Sequence, residues 1–240
     1  MDERSRNRSI RLAPRLAAAL SMLPRADTLV DVGCDHGKLC LAALCEGKFR
    51  RAVAVDVSEA SLAKAAANFA RFGFTAEFVC ADGLAAFDPA GYGDYAVAML
   101  GMGGELIAAI LARGAAAARG AGALMLQPMG GERELRDCLF ENGYAVLDET
   151  TVADAGRYYQ LILARYCPEE AVPYADDALL EFGARNYARR QDALKRLLEK
   201  VYASRARRME RAKRNGVIPE TLERELSGVQ RLLEHWEDDS

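Results

Sequence analysis

From Thr28 to Tyr166 the sequence alternates short β-type runs with helical ones, and this alternation constrains the fold more than any other feature. The β-type runs are Thr28–Val32, Ala52–Val57, Ala76–Cys80, Tyr95–Leu100 and Ala123–Leu126, separated by helical stretches at Leu39–Glu46, Ser58–Phe72, Gly104–Ala112 and Glu132–Asn142. Strands joined by helix-length crossovers pair in parallel, so the expectation is an α/β fold with helices on both faces of a parallel sheet. The pattern then changes. Tyr144–Val152 and Tyr158–Tyr166 are separated only by Ala-Asp-Ala-Gly-Arg, too short for a parallel crossover, and should form an antiparallel hairpin at the sheet edge. A dehydrogenase-type sheet would instead add a sixth parallel strand.

Flanking segments differ in character. Arg15–Leu23 has Leu16, Leu20 and Leu23 on one helical face and is stopped by Pro24. After a linker from Cys167-Pro168 to Pro173, Asp176–Arg214 has the pattern of one long helix with an apolar seam from Leu179 to Met209. Asn215-Gly216 breaks it, and a second helix from Thr221 places Leu222, Leu226, Val229, Leu233 and Trp236 at spacings of 4, 3, 4 and 3. Two domains are expected, an α/β unit over 1–167 and a helical coiled-coil hairpin over 168–240.

The formal net charge of −3 hides a segregation. Arg185–Arg214 holds twelve Lys or Arg against three acids, and Met1–Arg25 holds six Arg against two. Basic N-terminal and C-terminal helical segments around an acidic middle suit a phosphate backbone, so RNA contacts are expected there. No apolar run approaches the roughly 20 residues that cross a bilayer, so no membrane role is expected. The start is charged rather than signal-like, and six cysteines lie in apolar or helical stretches, which points to reduced thiols and a cytoplasmic setting. Cys34, His36, Cys40 and Cys45 lack paired C-x2-C spacing, and no metal is expected.

The chemistry concentrates at the carboxyl ends of the predicted strands. After the first, Asp31-Val-Gly33-Cys34-Asp35-His36-Gly37 makes a sharp turn in which Gly33 and Gly37 tolerate unusual dihedrals and let backbone N–H groups approach a ligand. Asp56 and Val57 close the second strand about 20 residues later, where an acid can accept both hydroxyls of an adenosyl ribose. Asp82-Gly83 follows the third, in position to bind an adenine ring. Asp31 and Asp35 would repel a dinucleotide's phosphates but suit S-adenosylmethionine, which carries ammonium and sulfonium charges and no phosphate. Alternatively, Asp35 caps the next helix. Five α/β units plus a hairpin match the strand recipe of class I methyltransferases. Gly101-Met102-Gly103-Gly104, after the fourth strand, leaves a bare loop floor for a substrate base. No Asn/Asp/Ser-Pro-Pro-aromatic motif for an exocyclic amine and no Pro-Cys nucleophile loop is present. A ring nitrogen such as adenine N1 needs neither, because its lone pair can attack the methyl carbon directly and a nearby carboxylate such as Asp35 would stabilise the resulting cation.

At these residues the chain resembles the TrmK-type tRNA (adenine(22)-N1)-methyltransferases of bacteria. The matching segments are Arg15-Leu16, Asp31-Val-Gly-Cys-Asp-His36, Ala81-Asp-Gly-Leu84, Gly101-Met-Gly-Gly104, Gln127-Pro128, Leu135-Arg136, Asn142-Gly-Tyr144 and Gly156-Arg-Tyr-Tyr159. The resemblance implies a class I fold, S-adenosylmethionine as methyl donor, N1 of a D-region adenine in tRNA as target, and a C-terminal coiled coil that helps hold the tRNA. Asp31, Gly33, Cys34, His36, Gly37, Asp56, Val57, Asp82 and Gly83 are then the expected cofactor contacts, with Asp35 and Gly101–Gly104 at the adenine. Departures are local: Gly37-Lys38-Leu-Cys40 replaces Ala-Tyr-Leu-Pro, and Ala153-Asp-Ala replaces an acidic pair. The alternatives are a small-molecule acceptor, or an RNA-binding protein on a methyltransferase fold without catalysis.

Overall fold

The computed structural model describes residues 10–238; Arg4, Arg6 and Arg8 of the basic N-terminal segment lie outside them. One seven-stranded sheet runs in the order β3-β2-β1-β4-β5-β7-β6. Its strands are β1 (Thr28–Val32), β2 (Arg51–Asp56), β3 (Glu77–Cys80), β4 (Tyr95–Met102), β5 (Ala123–Pro128), β6 (Tyr144–Asp154) and β7 (Arg157–Tyr166). The first five are parallel; β7 runs antiparallel against β5, and β6 takes the edge. The hairpin closes through Ala155 (φ 47°) and Gly156 (φ 76°), the doubly left-handed two-residue turn whose twist matches paired strands.

Period-two alternation divides β1 between two cores. Val30 and Val32 join Val53, Val97, Leu124 and Ile107 on one face, while Leu29 joins Leu20, Leu41 and Met125 on the other. Asp31 has the parity of Leu29, so its carboxyl points to the face covered by α1 (Pro14–Met22) and α2 (Lys38–Cys45). On the sheet, α3 (Glu59–Phe72) starts at a Ser58 cap that accepts from Ser61 N–H and ends at left-handed Gly73. α4 (Gly104–Arg113) precedes a short α5 (Ala115–Gly120), which the sequence pattern does not predict because an alanine run has no apolar periodicity; α6 (Glu132–Glu141) follows.

The single long helix expected over Asp176–Arg214 is three: α7 (Asp177–Phe182), α8 (Ala184–Ala188) and α9 (Asp192–Arg214). Gly183 (φ 85°) and Arg190 (φ 51°) adopt left-handed backbone at the two breaks. A Cβ at Gly183 would overlap the Glu149 carboxylate, which fixes the first break against the sheet. α10 (Glu220–Asp238) then returns along α9, burying Leu222, Val229, Leu232 and Trp236.

One buried cation pins the helical segment to the sheet. Arg136, fully buried on α6, donates from Nε to Glu149 Oε1 (2.7 Å), from Nη2 to Gln160 Oε1 (2.8 Å), and from Nη1 to the carbonyls of Leu180 (3.1 Å) and Glu181 (2.8 Å) on α7. Glu149 also accepts from the Arg185 backbone N–H of α8. Both charges are therefore paired and hydrogen-bonded, the condition under which buried ions persist.

Candidate active site

The strand order reverses between β1 and β4, and in open α/β sheets the crevice for ligands opens beyond the carboxyl ends of the strands at such a point. Here the crevice is an open cleft whose lining includes Arg15, Asp31, Asp35, His36, Lys38 and Leu100. Gly33 and Cys34 of the predicted turn also line it.

The turn is held from below. Gly33 N–H (2.8 Å) and Cys34 N–H (3.2 Å) both donate to Val55 O, Asp35 N–H donates to Asp56 Oδ2 (3.3 Å), and Gly37 N–H donates to Cys34 O (2.8 Å). These four donors are hydrogen-bonded within the protein. Gly37 (φ 65°) meets two demands, a left-handed backbone and the close approach of α3, since a Cβ there would lie 2.9 Å from Phe69. Asp35 (φ 48°) also takes the left-handed form, which Asp tolerates better than most residues. It does not cap α2: the cap residue is Gly37, with no side-chain bond. Its exposed carboxylate instead lies 3.6 Å from His36 Nε2.

Asp31 is the most perturbed acid in the cleft. Burial pushes its carboxyl up to about 7, opposed by a hydrogen bond from Cys40 and reinforced by the charge of Asp56. Cys40 Sγ–H donates to Asp31 Oδ2 at 3.8 Å, and burial together with Asp31 keeps that thiol protonated. The Cys34 thiol is pushed up to about 12 by burial and by the surrounding acids. No salt bridge reaches Asp31 among the described residues. Asp56 accepts from Ser58 N–H (2.9 Å) as well as from Asp35, so it ties the first loop to the start of α3. Val57 beside it is exposed at 69% and presents an apolar surface next to Asp56.

The fourth-strand loop reaches the same place. Met102 Cε packs against Gly33, where a Cβ would come within 2.9 Å of it, and Arg15 Nη1 lies 3.6 Å from where Gly101 would carry one. Gly103 faces open space. Gly104 N–H donates to Gly130 O, and a Cβ on Gly104 would overlap Gly131 O, so its bareness serves loop packing.

Asp82 and Gly83 have other partners. Arg113 Nη2 donates to both Asp82 oxygens (2.9 and 3.0 Å), and Gly83 gives way to Ile110, 2.7 Å from where its Cβ would be. Conversely, Arg15 and Lys38 line the cleft although the helix starting near Arg15 is legible only through its leucine stripe. Arg15 donates to the buried Gln127 Oε1 (3.1 Å), lies 3.8 Å from Asp154 Oδ2 and stacks 5.6 Å over Tyr159. No group of three or more His, Cys, Asp or Glu among the described residues is arranged to hold a metal ion. No described helix is long and apolar enough to cross a membrane.

Strand order, edge hairpin and an acidic cleft at the β1/β4 switch point define a class I methyltransferase fold with a helical C-terminal region. The chain belongs to the methyltransferase domain family, whose model matches residues 12–162. A tRNA (adenine(22)-N(1))-methyltransferase of Bacillus subtilis is 29% identical over 157 residues, and the chain spans 65% of the length of that curated relative and 65% of its own. Among solved structures, the B. subtilis M1A22 tRNA methyltransferase TrmK is 22% identical with a TM-score of 0.78, covering 96% of this chain and 99% of that one. A Streptococcus pneumoniae protein, Sp1610, in complex with S-adenosyl-L-methionine is 24% identical with a TM-score of 0.80, covering 91% and 98%. These likenesses extend the shared fold through the C-terminal helices.

Proposed function

We propose that this chain transfers a methyl group from S-adenosylmethionine to N1 of adenine 22 in tRNA, acting in the cytoplasm. The observation that carries this reading is the Asp31–Gly37 turn at the switch point, in a chain similar to a curated enzyme of that activity. The donor set fits the cofactor: Asp31, a buried carboxylate with no salt bridge among the described residues, suits an ammonium, and Asp56 at the end of β2 suits ribose hydroxyls. Exposed Val57 offers an apolar face to the adenine of the cofactor.

When bound, S-adenosylmethionine supplies an electrophilic methyl carbon on a cationic sulfur. The protein's part is to align the acceptor and exclude water, which is worth up to about 7–11 kcal/mol when the geometry is exact enough for direct attack. Within Gly101–Gly104, Gly103 faces open space and gives the acceptor ring a floor without side-chain bulk, while Arg15 borders Gly101. Asp35, exposed at the cleft and uninvolved in helix capping, offsets the charge that the ring acquires on methylation.

RNA recognition falls to α9. Arg196, Lys200, Arg207, Arg211 and Arg214 are exposed, recur at 4, 7, 4 and 3 residues, and form no salt bridge among the described residues. At 100° per residue they form one stripe about 27 Å long opposite the buried Leu194, Leu198 and Met209. The twelve cations of this region are not equivalent, since Arg189, Arg205 and Lys213 pair with Asp148, Glu181 and Glu210. An uncompensated stripe fits a phosphate backbone better than a small-molecule acceptor. Residues 168–240 form the tRNA-holding domain in this reading, and 1–167 the catalytic one.

The test is primer extension on tRNA treated with the purified protein and cofactor. N1 methylation blocks pairing, so reverse transcription should stop beside adenine 22. Unmodified tRNA, or a stop at another nucleotide, rejects the assignment.

A further inference from the structure

We propose that Arg15 and Lys38 form a two-point phosphate grip that seats the target nucleotide in the cleft, an inference that rests on tRNA being the substrate. The cleft presents a problem of charge. Its acids, Asp31 and Asp35 with Asp56 behind them, suit a cationic cofactor but repel a nucleotide that arrives with its phosphate. Entry is favoured by local cations, and among the described residues the Lys and Arg that line the cleft are Arg15 and Lys38.

Arg15 is preorganised for this task. Its Nη1–H is committed to Gln127, its Nε side faces Asp154, and its plane lies over Tyr159, so three elements fix the guanidinium while no described residue takes its Nη2. It also sits over Gly101, the first residue of the loop beneath the acceptor base. An anion held there is on the acceptor side of the cleft. A guanidinium gives directed, planar contacts to phosphate oxygens, whereas an ammonium supplies a mobile point charge. Lys38 is the second partner: exposed, lining the same cleft at the start of α2, and without a hydrogen bond or ion pair among the described residues.

The same two cations could instead hold the cofactor's own carboxylate, and binding measurements separate the sources. Filter binding of a tRNA transcript to the full chain across a salt series, with calorimetry of S-adenosylmethionine binding, should be run on wild type, Lys38→Gln and Arg15→Gln. The grip predicts that each variant weakens tRNA binding about three- to tenfold and flattens the plot of log affinity against log salt by about 0.7 to 1, one phosphate contact. Cofactor affinity should stay within about twofold, and KM for tRNA should rise in Lys38→Gln with kcat nearly kept. Unchanged tRNA affinity and salt slope in both variants overturn the proposal. So does a loss confined to cofactor affinity, which would assign the pair to the methionine carboxylate. Lys38 is exposed, so its substitution tests the proposal even if Arg15→Gln loosens α1. Wild-type protein that binds tRNA without methylating it would reject the activity, while the binding series still decides the grip.

Discussion

Replacing Asp31 with Asn should stabilise the protein at pH 8 far more than at pH 5. Burial first, then the opposing Cys40 hydrogen bond, then the Asp56 charge set the folded carboxyl at about 7, against an ordinary 3.8. Each pH unit between the two values corresponds to about 1.4 kcal/mol, so above pH 7 the ionised side chain costs the folded state about 4 kcal/mol. The sign follows from the direction of the shift. A folded-state value raised above the unfolded one gives stability that is fully present below pH 3.8 and is lost as pH rises to about 7. Between pH 5 and pH 8 that loss amounts to about 2–3 kcal/mol, and a neutral amide does not incur it. Urea denaturation of both proteins at the two pH values measures the difference, and every other titrating group cancels to the extent that it is common to both. The gap should move in favour of Asp31→Asn by about 2–3 kcal/mol on going to pH 8. A gap that stays constant, or moves toward wild type, would show that Asp31 does not carry a buried charge. The variant should also lose cofactor affinity, because the group that destabilises the empty protein is the one expected to meet the ammonium.

The same carboxyl predicts a pH-dependent cofactor affinity: calorimetry should find S-adenosylmethionine binding about tenfold tighter at pH 8 than at pH 6 in wild type and nearly flat in Asp31→Asn. Arg136→Met should cost about 3–5 kcal/mol in urea denaturation by leaving Glu149 buried and unpaired, and adding Glu149→Gln should restore part of it. A cost below about 1 kcal/mol would mean that the pin between sheet and helices is not what holds them together. Gly37→Ala should lose about 1–3 kcal/mol of stability, since the backbone is left-handed and Phe69 already occupies the space; the same change at Gly103, which faces open space, should leave the melting temperature within a few degrees.

The sheet was legible because its signals are local. Hydrophobic alternation, crossover length and the short link before Tyr158 determine strand direction without reference to the rest of the molecule, and Gly33, Asp56 and Gly101 fall at strand ends by counting alone. What the pattern around Asp82 could not reveal is that Arg113, thirty-one residues away, occupies its carboxylate. Nor could periodicity divide the helix after Asp176, because the break at Gly183 answers to Glu149 on a distant strand. The sequence by itself determined the class of fold and the acidic turn of the cleft. Tertiary structure decided which polar groups face that cleft and which are spent on one another, as Arg15 joining the site and the Gly33–Asp35 amides turning to β2 both show. The physical reason is that backbone preference acts over a few residues, whereas whether a charge or a hydrogen-bond donor is free depends on what the fold brings to within about 3 Å of it.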